Sequence, residues 1–475
     1  MSKFKEYSAL DLSAVNKSIL NFWREKSVFD KSLGEKNKNY NFYEGPPSAN
    51  GMPGIHHVIA RTIKDLFCRY KTLKGFNVYR KAGWDTHGLP VELGVEKELN
   101  ITKEDIGTKI SIEDYNKACK VNVMKYQASW EEITEKMGYW VDMKSPYITY
   151  DNKYIESVWW LLKQLHDKKL LYKGHTVQPF SPKAGTGLST HELNQPGCYR
   201  NVKDTSAIAQ FKILKNNQSN FLFEKTDKNI FLIAWTTTPW TLPSNTALAV
   251  GKKIIYLLVE TINQYNGEIY CVVLAKDLLA KHFKAENENT SFNDYEVGNK
   301  SRPYVILEEF SGNRLVGLIY DQLLKYAVPK NGDAFRVLAG DFVTTEDGTG
   351  VVHLAPSFGA DDNKVAKQNG IGSLTLVDEQ GRFTKEVSDF YGQYVKDEFY
   401  NDNDSKPRLP ADVQIIIKLK ESGLLFNSEK YEHSYPHCWR TDKPILYYPM
   451  DSWFVKTTEH KKRMMELNKT INWKP

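Results

Sequence analysis

Three stretches of this 475-residue chain hold side chains whose types and spacing could do chemistry. Glu44–Gly54 contains three prolines and three glycines and runs directly into His56 and His57. That composition breaks any regular element, so it reads as a loop. A loop that feeds a helix from a parallel strand offers free backbone N–H groups and the positive end of a helix dipole, which suits a phosphate. The two histidines could add hydrogen bonds; the plainer reading is a capped loop with two exposed rings. The second stretch, Trp235–Asn245, carries Thr236, Thr237, Thr238 and Thr241. Their hydroxyls can hold a ribose or position a water, although threonines near a strand are also ordinary β-formers. The third, Asp347–Asp362, contains Gly-Thr-Gly, His353 and the adjacent Asp361 and Asp362. Taken alone, Gly-Thr-Gly is only a turn. No serine or cysteine nucleophile with a base partner is evident, which disfavours covalent catalysis.

The elements that must position these residues fall into two textures. Asn39–Tyr43 alternates toward a strand, and from His57 onward Val58, Ile59, Ile63, Leu66, Phe67 and Tyr70 recur at three and four, the spacing of an amphipathic helix. Gly75 ends it and Phe76–Tyr79 reads as a second strand, completing a βαβ unit of a parallel sheet. Residues 104–172 read as mainly helical, most clearly Tyr154–Leu171. Beyond Thr205 short alternating runs take over: Ser206–Ile213, Ile230–Trp235, Thr246–Val250, Ile254–Glu260, Glu268–Leu274, Tyr304–Leu307 and Gly350–Leu354. Such runs separated by turn signals predict a barrel-like β module reaching to about Val395. A polar linker, Asp397–Pro410, then leads to a short helix, Ala411–Ser422, and a loop rich in Tyr, Pro and His.

Composition bounds the classes available. At 41% hydrophobic and 26% charged residues, the chain suits about three globular domains. No stretch approaches the roughly 18 apolar residues of a membrane-spanning helix, and the Met-Ser-Lys-Phe-Lys-Glu start lacks the apolar core of a secretory signal. Cys68, Cys119, Cys198, Cys271 and Cys438 lie far apart with no Cys-x-x-Cys pair. That argues against a disulfide framework and suits a reducing cytoplasm. With 64 basic and 58 acidic residues the net charge is +6, which permits a polyanionic partner without requiring one.

Phe42–His57 resembles the ATP-binding signature of class I aminoacyl-tRNA synthetases, and Gly83-Trp84-Asp85-Thr86-His87-Gly88-Leu89-Pro90-Val91-Glu92 is similar to the isoleucine-specific branch of that family. The likeness runs from about Tyr7 to the C-terminus. It implies that His57 and His56 serve the ATP phosphates, that Asp85 holds the α-ammonium of the amino acid, and that Pro46, beside Glu44 and Gly45, walls the aliphatic pocket. The family's His-Ile-Gly-His tetrad falls on Gly54-Ile55-His56-His57, so only its last histidine keeps its register. Trp235–Asn245 followed by Asp347–Asp362 resembles the editing domain of the isoleucyl, valyl and leucyl branches. On that likeness Asp362 anchors the ammonium of a misattached amino acid, with Asp361 its solvated neighbour. Trp235, Thr236, Thr237, Thr238 and Asn245 line the site, and His353 helps exclude the larger side chain. Phe358 stands where the family often has histidine. Editing is physically needed because one missing methylene gives an apolar pocket little to discriminate on.

The resemblance implies an α/β fold: an incomplete Rossmann-like catalytic domain interrupted by a mostly β, barrel-like editing domain. Residues 1–199 form the first catalytic part with a helical connection, 200–396 the editing domain, and 397–475 the return segment. The implied enzyme joins isoleucine to tRNA(Ile) using ATP with Mg2+ and hydrolyses misattached valine, as a cytoplasmic monomer without a membrane partner. The second ATP signature, Lys-Met-Ser-Lys-Ser, does not occur before Pro475, so little ATP–pyrophosphate exchange is expected of this chain. Relatives often carry Cys-x-x-Cys where this chain has Ser181–Thr186, so zinc is not expected here, although the rest of a longer enzyme could hold it. The rival readings are a free-standing hydrolase of mischarged tRNA and a non-catalytic tRNA-binding protein.

Overall fold

The computed structural model describes residues 9–34, 38–43, 45–401 and 404–473. The chain divides into two compact units, residues 1–172 with 453–475 and residues 173–452.

In the first unit, Gly54 opens the helix Ile55–Leu73, and Gly75 at φ 86° ends it in the left-handed conformation that glycine adopts without strain. Strand β1 (Lys81–Trp84) pairs in parallel with β2 (Asp142–Ile148). The strands expected at 39–43 and 76–79 reduce to one parallel bridge, Asn39 with Asn77. A strand is made by its partner, and only 142–148 offers a ladder, to residues 81–84. That partner lies inside the segment expected to be helical. Pro146, which would clash within a helix and remove a donor from it, explains the local departure. The remaining helices there are Ile112–Val123, Gln127–Lys136 and Asn152–Asp167. The last stops four residues before the expected Leu171, and Lys169 takes φ 57° at the exit.

The ribbon of β3 (Leu171–Ser181), β4 (Thr186–Gly187) and, late in the chain, β14 (Leu446–Val455) forms a three-stranded sheet. The large mixed sheet of the second unit contains β5 (Tyr199–Lys212), β6 (Ile230–Thr236), β7 (Ala247–Val250), β8 (Ile255–Ile262), β9 (Ile269–Ala275), β10 (Tyr304–Ser311), β11 (Arg336–Ala339), β12 (Val351–Leu354) and β13 (Leu425–Pro436). Its order is β10-β8-β9-β6-β12-β7-β11, with β5 joined to β6 and β13 to β5. Every strand run expected after Thr205 has a counterpart, whereas β11 was not anticipated. The segment expected as a Tyr, Pro and His-rich loop is instead β13. It pairs antiparallel with β5 from Leu425–Ala209 to Pro436–Tyr199. Its partner lies more than two hundred residues upstream, out of reach of any local pattern. The expected helix near 411 is present as Ala411–Glu421.

The core packs Phe211, Leu232, Leu258, Val273 and Tyr320 against Ile415 and Leu419 of that helix, all nearly or fully buried. The strand alternation is weak here because β6, β7 and β9 are buried on both faces, so they read as continuous apolar runs. No helix among the described residues is long and apolar enough to cross a membrane.

Candidate active site

Two sequence phrases far apart in the chain are brought together by β12. Val352 pairs in parallel with Trp235 of β6 on one side and antiparallel with Ala249 of β7 on the other. Each strand ends in a loop, and the loops open the same cavity, of about 480 Å³. Trp235, Thr236, Thr237, Thr238, His353 and Asp362 all line it. Thr241, Phe358 and the segment Glu346–Gly350 complete much of the wall. Asn245 and Asp361 are not among the lining residues. Asn245 is buried behind the wall and Asp361 is exposed on the outer side of the helix Ala360–Gln368. Thr241, the fourth threonine of that stretch, reaches the wall because it follows Thr238 by one turn of the 3-10 helix Pro239–Ser244.

His353 reaches Thr241 Oγ1 through Nε2 at 2.9 Å and Asn245 Nδ2 through Nδ1 at 3.1 Å. Burial pushes its pKa down to about 4, so the ring is neutral. Asp362 lies in the first turn of Ala360–Gln368 and its Oδ2 accepts the Ala355 N–H at 2.8 Å. Burial raises its pKa to about 6; the Ala355 bond opposes this and the neighbouring Asp361 adds to it. A carboxylate held this way is costly until a cation arrives, so it is suited to receive one.

The threonine turn is fixed from behind. The Trp240 N–H donates to Asp412 Oδ1 at 2.8 Å, and Asp412 is 6% exposed. Lys396 Nζ lies 4.0 Å from Asp412 Oδ2 and 2.7 Å from Asp204 Oδ2, which also meets His433 Nε2 at 3.1 Å. Burial raises Asp412 to about 7 against the pull of Lys396. Burial alone would lower Lys396, but Tyr435, Asp412 and Asp204 more than reverse it and keep the ammonium charged.

In the first unit the loop after residue 44 is pinned at several points. The Asp85 N–H donates to Pro47 O at 2.9 Å, the Tyr126 N–H to Ala49 O at 2.9 Å, and Trp130 Nε1 to Gly51 O at 2.8 Å. Gly45 is exposed, Pro46 half-buried and Asp85 exposed, so the carboxylate expected to hold the α-ammonium faces solvent. Glu44 lies outside the described residues. The Gly54 N–H donates to His57 Nδ1 at 2.9 Å, which leaves Nε2–H as the outward donor. Burial, His56 and Arg61 lower the His57 pKa and keep it neutral. The displaced tetrad has a steric logic: a Cβ at Gly54 would meet the His56 ring at 2.8 Å. Histidine at 56 in this rotamer therefore requires glycine at 54.

The sequence matches the family of tRNA synthetases class I (I, L, M and V) over residues 18–475. The chain belongs to that family. Among curated relatives, the isoleucine–tRNA ligase of Cytophaga hutchinsonii is 58% identical over 98% of this chain and 43% of its own length. That of Bacteroides thetaiotaomicron is 54% identical over 100% of this chain and 44% of its own, and that of Clostridium tetani 45% identical over 97% and 40%. This synthetase chain thus spans less than half the length of these relatives. The class I fold accounts for the mixture of parallel and antiparallel strands.

Proposed function

We propose that this chain supplies the nucleotide-binding and editing parts of an isoleucine–tRNA ligase, with the editing module at 200–396 built as a barrel-like β domain on an incomplete Rossmann-like one. The enzyme forms isoleucyl-adenylate and pyrophosphate from isoleucine and ATP and passes the acyl group to tRNA(Ile). The neutral His57 Nε2–H, His56 and the open first turn of Ile55–Leu73 suit the anionic phosphates, with which Mg2+ would arrive. Asp85 and Pro46 receive the amino acid.

The observation that carries the editing half is the convergence of the threonine turn and Asp362 on one cavity. Valine attached to the tRNA ribose enters with its α-ammonium against the Asp362 carboxylate. Thr237 and Thr238 offer hydroxyls to the ribose and to a water. That water adds to the ester carbonyl, the acyl C–O bond breaks, and the ribose oxygen leaves with the proton the water gives up. His353 has both ring nitrogens engaged, so it acts as a wall that the longer isoleucine side chain meets. Incubating the protein with valyl-tRNA(Ile) and isoleucyl-tRNA(Ile) tests this: selective release of valine is expected, and equal release of neither or both would refute the assignment.

Two further outcomes follow from the same geometry. Free Asp362 takes up a proton near pH 6, and a protonated carboxyl no longer attracts the ammonium. Valyl-tRNA hydrolysis should therefore fall by about tenfold per pH unit below 6 in kcat/KM. The sign for stability is opposite. A carboxyl raised from 3.8 to about 6 by folding makes the folded state the better proton binder, so between those values acid favours the fold through this group. A pH profile that stays flat down to 5 would remove Asp362 from the ammonium role. Gly359→Ala should also impair hydrolysis, by roughly tenfold or more, because its Cβ would lie 2.6 Å from Asp362 Cγ. Gly359 has φ −139°, open to any residue, so the effect is displacement of the carboxyl. Deacylation assays beside a melting curve separate that from unfolding.

A further inference from the structure

Tyr320 is fully buried, outside the cavity wall, and absent from every phrase that carries the family likeness. Its hydroxyl donates to Asn245 Oδ1 at 2.7 Å. Asn245 Nδ2 donates to Ala247 O at 2.9 Å, which fixes the amide with its N–H groups away from Tyr320. The second N–H of that amide lies between His353 Nδ1, 3.1 Å away, and the more distant Leu354 O at 3.4 Å, so the group facing Nδ1 is a donor. Nδ1 must therefore be the lone-pair side of the ring. At the far side, the Thr241 hydroxyl gives its proton to Thr238 O at 2.8 Å, so toward His353 it can only accept. Nε2 must carry the hydrogen. From Tyr320 to Thr238 every bond of this chain runs in the same direction, donor to acceptor.

We propose that Tyr320 is a positioning residue for the editing pocket: through Asn245 it holds His353 in the neutral Nε2–H tautomer with a fixed ring plane, making that ring a rigid gauge of side-chain length. The proposal rests on the editing reading above and deepens it. A second proton on Nδ1 would face the Asn245 N–H, donor against donor in a buried place, so imidazolium is excluded. Low pKa and burial alone would leave either neutral tautomer open; the hydrogen-bond direction selects one. The Tyr320 ring is itself wedged edge-on against Phe211 and Phe335, with centroids 5.4 and 6.1 Å away. Phe335 holds φ 58°, uncommon for an aromatic residue, while its N–H bonds Thr246 O at 2.7 Å. The backing of the relay is thus over-determined by packing, as a length gauge requires.

The test combines a spectrum with a selectivity ratio. In the wild-type protein, 15N NMR of His353 should show a protonated Nε2 and an unprotonated Nδ1; the opposite tautomer or an imidazolium at neutral pH would overturn the proposal directly. Tyr320→Phe keeps the ring packing and removes only the donor, leaving Asn245 Oδ1 unsatisfied. It should mix the His353 tautomers and lower the ratio of valyl-tRNA to isoleucyl-tRNA hydrolysis by roughly tenfold, an effect a purely structural role would not produce. Thr241→Val, which removes the acceptor at the other end, should lower the same ratio and serves if Tyr320→Phe does not fold. An unchanged spectrum and ratio in a folded variant would refute the proposal. If wild-type protein hydrolyses neither ester, the editing reading fails, and the spectrum still decides whether Tyr320 governs the ring.

Discussion

Asp362→Ala should reduce kcat/KM for valyl-tRNA(Ile) hydrolysis by at least about thirtyfold while leaving the protein folded. Truncating one partner of a desolvated charge pair typically costs about 2–5 kcal/mol, and each 1.36 kcal/mol is about a factor of ten. The carboxylate sits at the cavity wall, held by the Ala355 N–H and its own backbone N–H, and burial nevertheless raises its pKa to about 6. It is therefore a group whose charge is held at a cost in the free protein and satisfied by an incoming ammonium. Asp362→Asn keeps the shape and the hydrogen bond from Ala355 but not the charge, so a similar loss in that variant assigns the effect to charge. Asp361→Asn, on an exposed neighbour outside the cavity, should change hydrolysis less than threefold, within the range of surface electrostatic effects. Normal valine release by Asp362→Ala would sink the assignment.

The second large effect concerns stability. Lys396→Met should destabilise the second unit by about 3–5 kcal/mol, the usual cost of breaking a buried ion pair by removing one partner. For a unit of this size that corresponds to a melting temperature lower by roughly 10 °C. Lys396 is 6% exposed and is the cation facing both Asp204 and Asp412. The loss should grow with pH. Asp412 is raised by folding to about 7, so near pH 5 it is protonated with or without the lysine, whereas near pH 8 the variant must bury an unpaired charge or hold a proton. Because Asp412 carries the Trp240 N–H at the threonine turn, valyl-tRNA hydrolysis should fall together with stability. Equal melting curves for the two proteins at pH 8 would contradict this account of the network.

The contrast between Asp362 and Asp85 shows how far a motif carries. Both were read from phrases, one as the editing anchor and one as the activation anchor. Asp362 is set into a cavity wall with a raised pKa; Asp85 is exposed, its N–H bonded to Pro47 O and its Oδ1 accepting only a long bond from the His87 N–H at 3.4 Å. Asn245 illustrates a related shift: the phrase placed it on the pocket wall, whereas it stands one layer behind, acting on His353. Spacing along a chain identifies which residues travel together but not which layer each occupies.

What the sequence by itself determined is local: the helix after Gly54, the short strands beyond Thr205, the glycine and proline breaks, and the two phrases with their threonines and aspartates. These follow from side-chain periodicity and backbone chemistry acting over a few residues. What only the tertiary structure decided is partnership. β12 reads locally as one more short strand, yet by inserting between β6 and β7 it lays Val352 beside Trp235 and makes one cavity from segments over a hundred residues apart. β13 looked like a loop until β5 gave it a ladder. Tyr320 and Asp412 carry no local signal at all, since a hydrogen bond to Asn245 or to the Trp240 N–H depends on burial and approach in three dimensions. Hydrogen bonds and buried charges act over a few ångströms of space, and sequence separation places no limit on which residues meet there.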